Sequence, residues 1–149
     1  NSIPIKINYI LHLGYFRISQ YFFSFTFQGV KEDVKFIVKS YFPGTTFPMK
    51  QISNRQYYAN CQTILKRHEM TLYSKSFHSS ILDHLRSLVR QHAVPQYLFD
   101  SLLDYCHQHK VVRPAYSTLQ TLISETLTTE RLRINNKLIL LWIIHCASL

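Results

Sequence analysis

Apolar residues recur at helical spacing along most of the chain, and the places where that period lapses divide it into elements. Ile3, Ile7, Ile10 and Leu11 predict a short first helix, with Pro4 in the turn that tolerates it and Gly14 as its stop. From Tyr15 to Phe27 the aromatics crowd together. Tyr21, Phe23, Phe25 and Phe27 alternate with partly polar residues, which predicts an extended segment over the core, with a short helix as the alternative. Val30 to Phe42 reads as a helix: Val30, Val34, Ile37, Val38 and Tyr41 form its apolar stripe and Lys31, Lys35 and Lys39 a basic one. Glu32 and Asp33 fall in its first turn, where the helix dipole favours acids. That basic stripe is read first as a solvated face.

Pro43-Gly44 and Pro48 bracket a loop, after which Ser53 is placed to cap a helix over Asn54 to His68 that buries Tyr57, Tyr58, Cys61, Ile64 and Leu65. Periodicity lapses between Glu69 and Ser76, the expected boundary between two helical subdomains. Beyond it, Phe77, Ile81, Leu85, Leu88 and Val89 mark one helix ending before Pro95. Leu98, Phe99, Leu102, Leu103 and Cys106 mark a second, from Gln96 to His109. Ser117 is the expected cap of a third, carrying Leu119, Leu122, Ile123 and Leu127. Three helices with short connections suggest a bundle or a helix-turn-helix variant. The expected fold is all-α, with tandem helical subdomains over residues 1–70 and 71–137 and an apolar tail over 138–149.

Composition agrees with a packed helical chain: 46% of the 149 residues are hydrophobic and 17% charged, and three Gly with five Pro leave little for linkers or a turn-rich sandwich. Lys and Arg number 17 against eight acids, a net charge of +9 that favours a polyanionic partner. Cys61, Cys106 and Cys146 are odd in number and far apart, and read as buried free thiols of a reducing compartment. Cys106-His107-Gln108-His109 lacks the second ligand pair of a zinc site, so no metal and no cofactor is expected. The longest apolar run, Leu138 to Ile144, is far short of the roughly 20 residues that span a bilayer. Lys6, Asn8 and His12 interrupt the N-terminal apolar stretch, so it does not read as a signal peptide. A chain that begins at Asn1, without a methionine, suits a piece of something longer.

Enzymatic motifs are missing: there is no P-loop, GxGxxG, GxSxG or HExxH, and the eight acids nominate no metal-binding constellation. The chain is expected not to be an enzyme. Two polar, partly basic helix starts carry the chemistry of base and phosphate recognition. Lys50, Gln51, Ser53, Asn54, Arg55 and Gln56 form the first; Arg113, Tyr116, Ser117, Thr118 and Gln120 form the second. Arg can grip guanine bidentately, Asn or Gln can grip adenine, and hydroxyls with helix N–H groups hold phosphate. The plain alternative for either is a solvated cap. The 20 Tyr and Phe could form a stacking platform, but most fall on core stripes and are read as packing.

The ordered string LHLGYFRISQYF (Leu11 to Phe22), VKEDVKFIVKSYF (Val30 to Phe42), ISNRQYYANCQTIL (Ile52 to Leu65) and VVRPAYSTLQTLI (Val111 to Ile123) resembles the N-terminal region of Tn-three-family replicative transposases. That region is often described only as a domain of unknown function. The resemblance covers about residues 5–137, and order and spacing carry it more than any one motif. It implies tandem helix-turn-helix-like DNA-binding subdomains that recognise terminal inverted repeats, with the catalytic acidic triad in a downstream domain outside this chain. The implied partner is double-stranded DNA at transposon ends, and the implied location is the bacterial cytoplasm, at the nucleoid. After Lys137 the resemblance weakens, and LILLWIIHCASL looks like the tail of a truncated or frame-changed element. Its apolar face would suit docking on the body, on another copy, or on full-length transposase, which would make the chain an interaction module or inhibitory remnant.

Overall fold

A computed structural model describes residues 2–47 and 49–147, with the side chains of 146 and 147 outside the description. The reading of Pro48 as a loop bracket and of Cys146 as a buried thiol therefore lies outside the described residues. Six α-helices make up the architecture: α1 (Ile3–Ser19), α2 (Lys31–Tyr41), α3 (Asn54–His68), α4 (Lys75–Val89), α5 (Pro95–Gln108) and α6 (Tyr116–Ala147). The chain is all-α, with no strand among the described residues. It divides into two compact units, Asn1–Thr71 and Leu72–Leu149, each holding three helices.

In the first unit α1 packs against both α2 and α3. Ile7, Leu11, Phe27, Val34 and Ile37 form its core, with Ile3, Ile10, Phe25, Val30, Phe42 and Phe47 packed around it. α1 does not stop at Gly14, as the sequence suggests, but continues to Ser19 and ends at a left-handed Gln20. Its buried positions explain the extension: Ile7, Asn8, Leu11, His12 and Phe16 form one stripe that runs past the glycine. A glycine inside a helix costs about 1 kcal/mol relative to alanine, less than the roughly 1.5–3 kcal/mol from burying a residue like Phe16. Phe22 stacks on Phe16 with centroids 4.6 Å apart, and residues 22–26 that follow are neither helix nor strand.

α2 buries Val34 and Ile37, and Val38 partly, but Tyr41, expected in the apolar stripe, is exposed. Its acids are occupied: Glu32 pairs with Lys35 at 2.8 Å, and Asp33 accepts a hydrogen bond from the Tyr15 hydroxyl of α1. α3 has the bounds the sequence predicts, and Cys61, Ile64 and Leu65 are buried. Tyr58, also expected in the core, is 65% exposed, and the polar Asn60 is buried instead. The stripe is thus rotated toward Asn60, whose amide finds partners on α1.

In the second unit α4, α5 and α6 pack on one another around Ile81, Leu85, Val89, Leu98, Leu102, Cys106, Leu119, Leu122 and Ile123. Ser74 caps α4 by accepting from the Phe77 N–H, and Pro95 opens α5. α6 starts one residue before the expected cap: the Ala115 carbonyl accepts from Thr118 and Leu119, so Ser117 lies in the first turn. α6 also runs unbroken through Lys137, where a separate tail was expected. Leu138 to Ile144 are all at least half exposed along it.

Cys61 and Cys106 are buried and free, and burial pushes both thiols up, that of Cys106 to about 11. No helix of the described residues is long and apolar enough to cross a membrane.

Candidate nucleic-acid interface

The first polar cluster sits at the N-terminus of α3, and the structure gives its members two kinds of work. Ser53 accepts from the Gln56 N–H while the Gln56 side chain accepts from the Ser53 N–H, a reciprocal capping box. Gln51 ties the preceding segment down: its Nε2 donates to the Phe25 carbonyl at 2.7 Å and its Oε1 accepts from the Phe27 N–H at 3.3 Å. These three side chains are engaged in structure. Lys50, Asn54 and Arg55 are exposed, and neither cation has an ion-pair partner among the described residues. The rigidly capped helix start therefore presents one amide and two cations to solvent.

The second cluster surrounds the start of α6. Ser117 and Gln120 are exposed, Thr118 and Arg113 half-buried, and the Tyr116 ring lies 5.3 Å from that of Phe99 on α5. Tyr116 and Gln120 also border a cleft of about 270 Å³ with Pro95, Gln96 and Phe99. A larger hollow of about 520 Å³, between Val89 and Ala93 on one side and Leu127 to Asn135 of α6 on the other, touches none of the candidate residues. The two clusters belong to different units, and each holds together only within its own.

Charge is distributed unevenly. The first unit carries nine Lys and Arg against three acids, a net +6, and the second eight against five, a net +3. Lys31 and Lys39 have no ion-pair partner among the described residues, whereas Arg86 pairs with Asp83 and Arg133 with Glu130. The first unit is thus the stronger attractor of polyanions.

Residues missed in the sequence lie beneath the first cluster. Asn60 of α3 donates to the Ile5 carbonyl at 3.2 Å and to Asn8 Oδ1 at 2.9 Å. His12, one turn beyond Asn8, is 2% exposed and packed against Phe25, Tyr57 and Phe22, at centroid distances of 4.4, 5.0 and 6.3 Å. Burial lowers its pKa to about 4. Desolvation also raises the Tyr57 hydroxyl to about 12. The available clue was spacing: Asn8 and His12 stand four apart, in step with Leu11 and Phe16, which places them on the buried side. In the second unit His84 stacks on Tyr105 with centroids 4.2 Å apart, and His109 packs tilted against the same ring at 4.1 Å. Among the described residues no group of three or more His, Cys, Asp or Glu stands together as a metal site would need.

This is an all-helical chain of two three-helix units, the first of which carries a basic, capped helix start. It belongs to the family of the domain of unknown function DUF4158, whose family model matches residues 3–126. The match includes both clusters and ends inside α6. No curated protein and no solved structure matches the chain.

Proposed function

We propose that the chain is the duplex-DNA-binding region of a transposase, recognising transposon terminal inverted repeats without catalysing strand transfer. The observation that carries this reading is the exposed set Lys50, Asn54 and Arg55 on the rigidly capped N-terminus of α3, in the more basic unit. An Arg and an Asn one residue apart can address neighbouring bases, while Lys50 and the helix N–H groups hold phosphate. The motif order shared with Tn-three-family transposases supports the choice of DNA ends, and with it a place at the bacterial nucleoid. Ser117, Gln120 and Arg113 at the start of α6 supply a second contact region, and the three-helix unit around them the helix-turn-helix-like frame. The catalytic acids belong, in this reading, to a domain outside the chain.

Arg55→Ala or Arg113→Ala is expected to cost roughly 1–3 kcal/mol of end binding if the residue reads a base, and Lys50→Ala to lower the salt slope by about one. Titration of labelled end duplexes at several salt concentrations checks this. Unchanged affinity in both arginine variants would remove these residues from the interface.

The second reading, an interaction module or inhibitory remnant, is favoured by one observation: the exposed apolar run Leu138 to Ile144. Under it, deleting residues 138–149 shifts the chain to a smaller species in sedimentation velocity; an unchanged distribution excludes pairing through α6.

A further inference from the structure

α4 spans 15 residues and α6 spans 32, so the C-terminal half of α6 runs on beyond the helix it packs against. On that overhang Leu138 to Ile143 are each 50 to 68% exposed, and no Asp, Glu, Lys or Arg follows Lys137. Consecutive apolar residues face every side of a helix, and a helix apolar all round is one that is covered. At the base of the overhang lies the hollow of about 520 Å³, walled by Val89 and Ala93 on one side and by Leu127 and Ile134 of α6 on the other, with Glu130 and Arg131 its charged members. The run cannot enter the hollow of its own chain: α6 is unbroken, and Leu141 stands about 15 Å along the axis beyond Arg131. A second copy can bring its run there.

One helix thus carries both halves of a self-complementary contact, as a two-fold pair requires. Leu127, Arg131, Ile134, Leu138 and Leu141 follow at intervals of four, three, four and three, which sets them along one seam. Charge fixes the direction. A parallel pair would lay Arg131, Arg133 and Lys137 beside their own copies, whereas an antiparallel pair lays them beside the uncharged run. The Arg131 stem then covers apolar surface with its guanidinium in water. The neighbouring groove between α4 and α6 is lined by Arg86, Arg90, Glu125 and Arg133, a poor seat for that run. At on the order of 100 Å² of apolar surface per exposed side chain, the runs of two copies reach roughly the 1,200 Å² at which stable interfaces begin, before the walls of the hollows are added. We propose that two copies of the chain pair antiparallel through α6, each laying the run around Leu141 in the other's hollow beside Ala93. This deepens the interaction-module reading and rests on it; it is independent of DNA binding.

Trp142, the only tryptophan of the chain, lies within the run and reports its surroundings. Sedimentation velocity of the full chain over a wide range of concentration should show a dimer, and Trp142 emission should move to shorter wavelength over the same range. Ala93→Arg, at an exposed position between α4 and α5, should weaken dimerisation by about tenfold or more, as an unpaired charge in an apolar contact does, with the helical circular dichroism of the parent. Leu141→Glu should do the same, and Ala93→Arg combined with Leu141→Glu should recover most of the loss, since each new charge then faces its opposite on the other copy. A dimer that is lost on deleting residues 138–149 but unchanged by Ala93→Arg keeps the interaction reading and overturns the hollow as its seat. A double variant no better than Ala93→Arg alone overturns the antiparallel register. A chain that stays monomeric, with Trp142 emission moving only on phosphatidylserine vesicles, overturns the second copy as the occupant. A monomer whose emission stays that of an exposed indole throughout overturns the pairing and the interaction reading together.

Discussion

Acidification from pH 7 to 4 is expected to remove on the order of 3 kcal/mol from the stability of the folded chain through His12 alone, as its folded-state pKa is lowered from 6.5 to about 4. The sign follows from proton uptake. Between those two values the unfolded chain binds a proton at His12 and the folded chain does not, so acid favours unfolding there. The contribution is full above pH 6.5 and falls steadily as the pH drops toward 4. Its packed neighbours Phe22, Phe25 and Tyr57 are uncharged in this range, and burial is what lowers its pKa. Urea titrations at several pH values, taken as the difference between the parent and His12→Phe, isolate this contribution from the carboxylates. A difference that stays flat from pH 7 to 4 would show His12 to be solvated.

Leu119→Ala is expected to destabilise the chain by about 2–5 kcal/mol, whereas Gln120→Ala one residue later should change stability by no more than about 0.5 kcal/mol. Leu119 is fully buried in the core of α4, α5 and α6, and its neighbour points to solvent. The pair separates fold from function at the start of α6. Gln120→Ala is expected to weaken DNA binding without moving the denaturation midpoint; Leu119→Ala moves the midpoint. Equal small effects on stability would contradict the register of α6.

The helices of the second unit were the more legible because their buried faces are uniformly apolar. Ile81, Leu85 and Val89 or Leu98, Leu102 and Cys106 announce both the helix and its inward side. The Ser53 cap was legible for a similar reason, since Ser with Gln three residues on is a local code that tertiary packing did not disturb. The first unit hid more, because part of its buried face is polar. Asn8, His12 and Asn60 look like surface residues in a hydropathy pattern, and only the partner helix shows them paired or walled in. Gly14 misled for the opposite reason: a local breaker was overridden by the burial of Phe16 two residues later. Within the first cluster, sequence chemistry alone does not separate Gln51, committed to backbone groups, from Lys50, Asn54 and Arg55, left in water. That distinction required the position of residues 25–27, which lie 24 to 26 residues from Gln51.

The DNA-end reading is tested most directly by the salt dependence of binding to duplexes carrying the terminal inverted repeat, set against scrambled duplexes of the same length. A steep fall in affinity with salt, together with a clear preference for the repeat that Arg55→Ala erodes, is the predicted result. Equal affinity for repeat and scrambled duplex, or no binding at low salt, would contradict it.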